Sequence, residues 1–331
     1  MAERFVPPPG ERGAALLTVL LLVAVMAIVT AGALERLTLA TRLAGNAAAL
    51  DQARAYSYAA ETLASTRIAD LVAAQGDRTT LKGDWNGARF TLPIPGGLGT
   101  ARVGDGGNCF NLNSVVTTRV DGRLVVRPGG VTQFRALMTV LGIDPQAAAG
   151  IAAATVDWID SDDTAQRGGA ESDSYQQAVP AYRTANQLMA DPSELRVVHA
   201  VTAESYAKLK PWVCTLPVAQ LSPINVNTLL PTQAPLFAMM IPGRLSVGQA
   251  RELLAQRPAN GYESSAQFWA APALAGMTPM GEVGAQTVTK TRWFTVESEI
   301  ELAGATAHES ALYDASVSPA RLVSRNWGQD D

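Results

Sequence analysis

From Ala14 to Ala33 the chain carries no charge, no Pro and a single Gly, Gly32. Twenty helical residues at about 1.5 Å each reach roughly 30 Å, the thickness of a bilayer's hydrocarbon core. Arg12 and Gly13 precede the run, and Glu35-Arg36 ends it. The helical pattern continues beyond. Leu34 to Ala74 has no Pro, one Gly (Gly45) and many good helix formers. Ala60, Ala64, Ile68 and Leu71 fall on one stripe. The pattern therefore predicts one helix from about Ala14 to about Ala74, apolar on every side in its first half and amphipathic in its second.

After Gly76-Asp77 the period shortens. Asn86-Gly87 signals a turn, and Arg89–Leu92 alternates like a strand that Pro93 and Pro95 confine to an edge. Gly96, Gly97, Gly99, Gly104, Gly106 and Gly107 read as loops. A helical middle follows. Asn111-Leu-Asn-Ser114 supplies a turn and N-cap. Phe134, Leu137, Met138 and Leu141 share a helical face ended by Gly142, and Asp144-Pro145 starts a second helix through Asp157. The pattern recurs: Asn225-Val-Asn-Thr228, then Leu236–Ile241, a Pro242-Gly243 turn, and Ser246–Gln256. Two similar units of this kind suggest a duplication. From Thr287 the alternation of strands returns, with Arg292–Leu302, Ala307–Val317 and Arg321–Trp327 as candidates. The fold class is α+β: a long N-terminal helix plus an antiparallel sheet, with a large, mostly α-helical domain inserted.

Composition narrows the function classes. The net charge is −4 over 331 residues, which gives no electrostatic reason to expect nucleic acid. Paired helices with a Gly turn can grip phosphates, but these turns carry few basic residues. The two histidines, His199 and His308, belong to no metal or nucleophile motif, and no Gly-rich phosphate loop follows a strand. The sequence therefore does not read as an enzyme. Cys109 and Cys214 lack metal-type spacing. With the chain across or outside a membrane they can oxidise to a disulfide. Two separate buried thiols are the rival reading.

One constellation carries chemistry. Asp157-Trp-Ile-Asp160-Ser-Asp162-Asp163-Thr164 precedes Gly168-Gly-Ala-Glu171-Ser-Asp173-Ser-Tyr175, with Arg167 the one local cation. Six carboxylates so close repel one another unless something neutralises them. A hard cation with oxygen ligands does this, and Ca²⁺ accepts six to eight in irregular loops, whereas Mg²⁺ demands tighter geometry. Counting Asp160 as position one of an EF-hand-type loop puts Asp162 at three, Thr164 at five and Glu171 at twelve. Position six is Ala165, where that loop requires Gly, so the site is not an EF-hand. Asp173 belongs to the candidate ligand set; Asn186 and Glu194 are weaker candidates to complete it. A solvated acidic loop is the bland alternative.

The N-terminus admits three readings: a cleaved secretory signal ending near Ala31-Gly32-Ala33, a plain single-pass anchor, or a type IV prepilin-like leader. The third resembles known prepilins at specific points. Pro7-Pro8-Pro9 keeps the leader extended, Glu11-Arg12-Gly13 ends it, and the apolar helix begins at the next residue. By that resemblance prepilin peptidase cuts after Gly13, and the mature chain starts at Ala14, a site of N-methylation. The fifth mature position, Glu in most such proteins, is Thr18. In the family that Glu pairs with the terminal amine of the preceding subunit, so a subunit without it can stand first in line.

Over essentially the whole chain the sequence resembles the minor pseudopilin K family of bacterial type II secretion systems (general secretion pathway protein K). The resemblance rests on the prepilin-like start with Thr18, Phe110-Asn-Leu-Asn-Ser114, Val156–Asp162, Gly168–Tyr175, Pro180–Asn186, Ser193-Glu-Leu195 and Ile224–Thr228. It implies a pilin-like α/β domain carrying an inserted helical domain. The units would be a leader over 1–13, the helix and first strands over 14–112, the insertion with its acidic loop over 113–286, and closing strands over 287–331. It implies calcium at the acidic loop and a tip complex with minor pseudopilins I and J. It places the chain once across the inner membrane, leader in the cytoplasm and C-terminal domain in the periplasm, serving protein secretion through a pseudopilus. The opposing reading is an exported periplasmic calcium-dependent binding protein.

Overall fold

The computed structural model describes residues 12–277 and 281–328. The leader expected over 1–13 lies outside them up to residue 11. Helix α1 runs unbroken over Arg12–Gln75, 64 residues or about 96 Å. From Gly13 to Ala48 every position is exposed. The amphipathic half then meets a five-stranded antiparallel sheet. Its strands are β1 (Arg89–Leu92), β2 (Gly97–Asp105), β9 (Trp293–Leu302), β10 (Ala305–Asp314) and β11 (Arg321–Trp327), in the order β1-β2-β9-β10-β11. The intervening β3 to β8 are the short strands Phe110–Asn111, Val116–Thr118, Leu124–Val126, Val213–Cys214, Ile224–Asn225 and Thr287–Val288.

The α1 stripe is the face that buries. Ala64 and Ile68 pack with Phe294, Val296, Ala311 and Tyr313; Ala53 packs with Ile300, Leu302 and Ala307. Burial of one side chain such as Ile68 contributes about 1.5–3 kcal/mol. The Tyr313 hydroxyl donates to the Glu61 carbonyl at 3.2 Å, locking the sheet to the helix. In β9 the alternation puts Phe294, Val296, Ser298, Ile300 and Leu302 inside, as the sequence pattern requires. The edge position of β1 matches its prolines.

Three glycines differ from expectation: Gly97, Gly99 and Gly104 lie within β2, not in loops. The reason is tertiary. A Cβ on Gly97 would sit 2.3 Å from the Glu301 carbonyl oxygen, and one on Gly99 would sit 2.6 Å from Ile94 Cδ1. Strand β2 can carry no side chain where it presses against its neighbours.

Between β2 and β9 the chain leaves the sheet and builds a second core around Phe110, Leu112, Phe134, Leu137, Ile151, Leu236, Phe237 and Phe268. Phe110 and Phe134 stack at 4.7 Å. Helices α2 (Pro128–Val140) and α3 (Pro145–Ile159) form one pair. Asp144 caps α3 by accepting the N–H groups of Gln146 and Ala147. After α4 (Ser172–Tyr175) and α5 (Ala203–Leu209), helices α6 (Ala234–Ala238) and α7 (Val247–Ala255, capped by Ser246) form the second pair. The hairpin β4–β5 intervenes between the first Asn-rich turn and α2, where the sequence suggested direct entry into helix. The expected boundaries at 113 and 286 fall slightly inside this body. Phe110 belongs to its core, and Thr287-Val288 pairs in parallel with Ile224-Asn225.

The two Asn-x-Asn turns do the same work. Asn113 accepts the Met189 N–H and donates to the Met189 and Leu216 carbonyls. Asn227 accepts the Tyr262 N–H and donates to the Tyr262 carbonyl. Asn111 and Asn225 accept from the N–H two residues on. Each buried amide replaces sheet pairing for a distant segment, so its loss would orphan several backbone groups at once. Where body meets sheet, half-buried Asp105 accepts from the Thr228 and Thr291 hydroxyls and the Gly107 N–H.

Candidate functional site

Two features can do something chemical: the bare half of α1 and the acidic loop at the end of α3. The first is the one helix among the described residues long and apolar enough to cross a membrane, with a mean hydropathy of 2.8 over its most apolar stretch and none of that stretch buried. Gly13 and Ala14 sit in its first turn. The Thr18 hydroxyl donates to the Ala15 carbonyl at 2.9 Å. Position 18 thus needs no partner in lipid, where a carboxylate would.

At the acidic loop, α3 ends with Asp160 as its C-cap. Asp157, one helical turn earlier, is fully buried, and its Oδ1 accepts the Gln166 N–H at 2.9 Å. Its Oδ2 occupies the space where a Cβ on Gly169 would come within 2.0 Å, so Gly169 lets the loop close over the carboxylate. Glu171 is buried and Asp162 half-buried. Trp158, Tyr175 and Tyr182 wall the site, with ring centroids 5.2–6.2 Å apart. Asn186 adopts φ +48°, a conformation Asn tolerates better than most residues. Its N–H donates to the Trp158 carbonyl at 3.0 Å.

Electrostatically the site is loaded. Burial, then repulsion from Asp162, Asp157 and Glu171, pushes Asp160 up to about 7. Burial, then Asp157, pushes Glu171 up to about 7. Burial also raises Asp157, against the pull of the Gln166 and Ala170 N–H groups. Four buried oxygens accept no hydrogen bond: Asp157 Oδ2, Asp160 Oδ1, Glu171 Oε1 and Asn186 Oδ1. Buried polar atoms are nearly always satisfied, so four orphaned acceptors in one loop fit a hard cation. Yet among the described residues no three carboxylate, imidazole or thiolate groups converge tightly enough to form a metal cluster.

Of the sequence candidates, Asp160, Glu171 and Asn186 thus contribute orphaned oxygens, and Asp162 contributes charge. Thr164 is exposed and gives its N–H to Asp162 Oδ1; Asp173 is exposed in the first turn of α4. Glu194 is committed to capping, accepting the Ala190 and Asp191 N–H groups. Asp157 is the residue the ligand set omitted. Its i, i+3 relation to Asp160 on α3 was the available signal. Cys109 and Cys214 are joined by a disulfide, with Cα atoms 5.8 Å apart, beside the parallel β3–β6 pair.

Known proteins resemble this chain along its length. The family described as Type II secretion system (T2SS), protein K matches over residues 108–218 and again over 224–289, one match for each Asn-x-Asn unit. A type II secretion system protein K from Pectobacterium carotovorum subsp. carotovorum is 34% identical, covering 96% of this chain and 97% of the relative. One from Pseudomonas aeruginosa is 33% identical over 97% of this chain and 94% of the relative. A chain in the crystal structure of the GspK-GspI-GspJ complex from the enterotoxigenic Escherichia coli type 2 secretion system superposes with a TM-score of 0.72. It is 30% identical and covers 85% of this chain and 97% of that one. The sequence motifs, the bare apolar helix and these matches agree: the chain belongs to the type II secretion system protein K family.

Proposed function

We propose that this protein is the minor pseudopilin at the tip of a type II secretion pseudopilus, where it starts and caps assembly with minor pseudopilins I and J. The observation that carries this reading is the unbroken α1. Its exposed apolar half runs without a break into the stripe that binds the sheet, so a chain that keeps the rod carries its head on one continuous helix. Prepilin peptidase cuts after Gly13 on the cytoplasmic side, and the helix holds the chain in the inner membrane with the head in the periplasm. Thr18 supports first place in the filament, since no carboxylate there has to find an amine. The bulk of the inserted body obstructs the addition of subunits above it.

The acidic loop fits Ca²⁺ on its orphaned oxygens. Asp160, Glu171, Asn186 and Asp157, with Asp162 nearby, would hold the ion and fix the loop between α3 and α4. Bound there, it neutralises buried charge; the role is structural, and the protein is not an enzyme. Co-expression of the full chain with I and J in detergent tests the assembly. The three should co-purify as one complex, and elution of this chain alone while I and J remain folded would refute it.

A further inference from the structure

A cleft of 540 Å³ opens where the end of α1 meets the inserted body, and neither the apolar half of α1 nor the acidic loop reaches it. Gln75 and Arg78 line it from the stem side, Lys82 from the following loop, and Arg257 and Gly261 from the body. Three cations therefore face one space. The half-buried Arg257 guanidinium uses Nη1 on the Val226 and Leu229 carbonyls, at 3.0 and 2.7 Å. Among the described residues it has no carboxylate partner, and neither has Lys82. Arg78 meets Glu263 at 3.7 Å, but that carboxylate is 76% exposed and screened. Gln75 keeps its amide Nε2 without an acceptor. The C-terminal dipole of α1 attracts cations, but it amounts to about half a charge and does not balance three.

Like charges converging on a roomy cleft mark an anion's place. The lipid surface is too far away to supply it. If the apolar stretch to Ala33 lies in the bilayer, the 42 residues to Gln75 lift the cleft about 60 Å above it. The volume is that of a ligand pocket, far more than one inorganic ion fills. We propose that this cleft docks an acidic peptide segment of a partner protein, its carboxylates bridging Arg78 and Lys82 on the stem side to Arg257 on the body. Occupation would tie the orientation of the head to the rod. Guanidinium groups suit this, since they take carboxylates in paired hydrogen bonds.

The test is fluorescence anisotropy of a labelled hexaglutamate peptide with the full chain in detergent, hexaglutamine serving as the neutral control. Hexaglutamate should bind, hexaglutamine should not, and salt at about 0.5 M should weaken binding. Lys82→Gln should cost about fivefold in affinity, and Arg78→Gln with Lys82→Gln correspondingly more. Both positions are on the surface, so these variants keep the fold; Arg257→Gln, which also releases two carbonyls, is the secondary variant. No binding of hexaglutamate, equal binding by the Lys82→Gln protein, or displacement of the peptide by an equal concentration of inorganic phosphate would overturn the proposal.

Discussion

Substituting Asp160 by Asn should have opposite effects with and without calcium. Asp160 is 1% exposed, its Oδ1 accepts no hydrogen bond, and burial with three nearby carboxylates raises it from 3.8 to about 7. A carboxyl raised in the folded state binds more protons there than in the unfolded chain. Its ionisation therefore costs stability as pH rises from its unfolded pKa through its folded one. Above about pH 7 the full penalty applies. A rise of roughly three units sets a ceiling of about 4 kcal/mol. The amide of Asn is itself a buried polar group that still has to find hydrogen-bond partners there, so the net relief is about 2 kcal/mol. At about pH 8 with chelator, D160N should then melt about 4–8 °C above wild type. With calcium at about a hundred times its Kd, the wild type should gain about 2.7 kcal/mol, and D160N far less. The two melting curves should therefore exchange order between chelator and calcium. The assay is calorimetry of the full chain in detergent. A wild type that ignores calcium, or an equal calcium gain in D160N, would refute the assignment of the orphaned oxygens to a cation.

Two further outcomes follow from other buried groups. Between α1 and the sheet, Glu309 faces Glu61, Arg325, the Tyr313 hydroxyl and Ser298. Burial and then Glu61 push it up to about 8 from 4.5. Native-state stability should fall as pH rises between those values, and Glu309→Gln should flatten the slope; an unchanged slope in pH-dependent melts would contradict it. Replacing Cys109 and Cys214 together by Ser opens a loop of sequence separation 105, worth up to about 4.7 kcal/mol in the chain-entropy model. The denaturation midpoint should drop, and an unmoved midpoint would show the bridge to be idle.

Features with a local cause could be read directly from the residues. The stripe on α1 follows from the 3.6-residue period, β9 from strict alternation, and the paired Asn-x-Asn turns from their repeated spacing. Asp144, Gly142 and Gly243 mark helix ends for reasons confined to one turn; both glycines adopt φ above +70°. What escaped has distant causes. Within β2, Gly97 answers to Glu301 and Gly104 to Thr295, both far along the chain, and the two-residue parallel pairs β3–β6 and β7–β8 leave no periodic trace. At the acidic loop, composition gave the charge, but spacing could not tell buried from exposed. Burial there depends on Gly169 closing over Asp157 and on the wall of Trp158, Tyr175 and Tyr182. The cationic cleft escaped entirely, since Arg78, Lys82 and Arg257 meet only in the fold.

The central claim is that the apolar rod remains part of the working molecule. Intact mass spectrometry of the protein recovered from membranes of cells with an active prepilin peptidase measures this directly. The account predicts a chain beginning at Ala14, with or without an added methyl group. A chain beginning near Leu34 would have lost the segment that joins head to filament, and would contradict it.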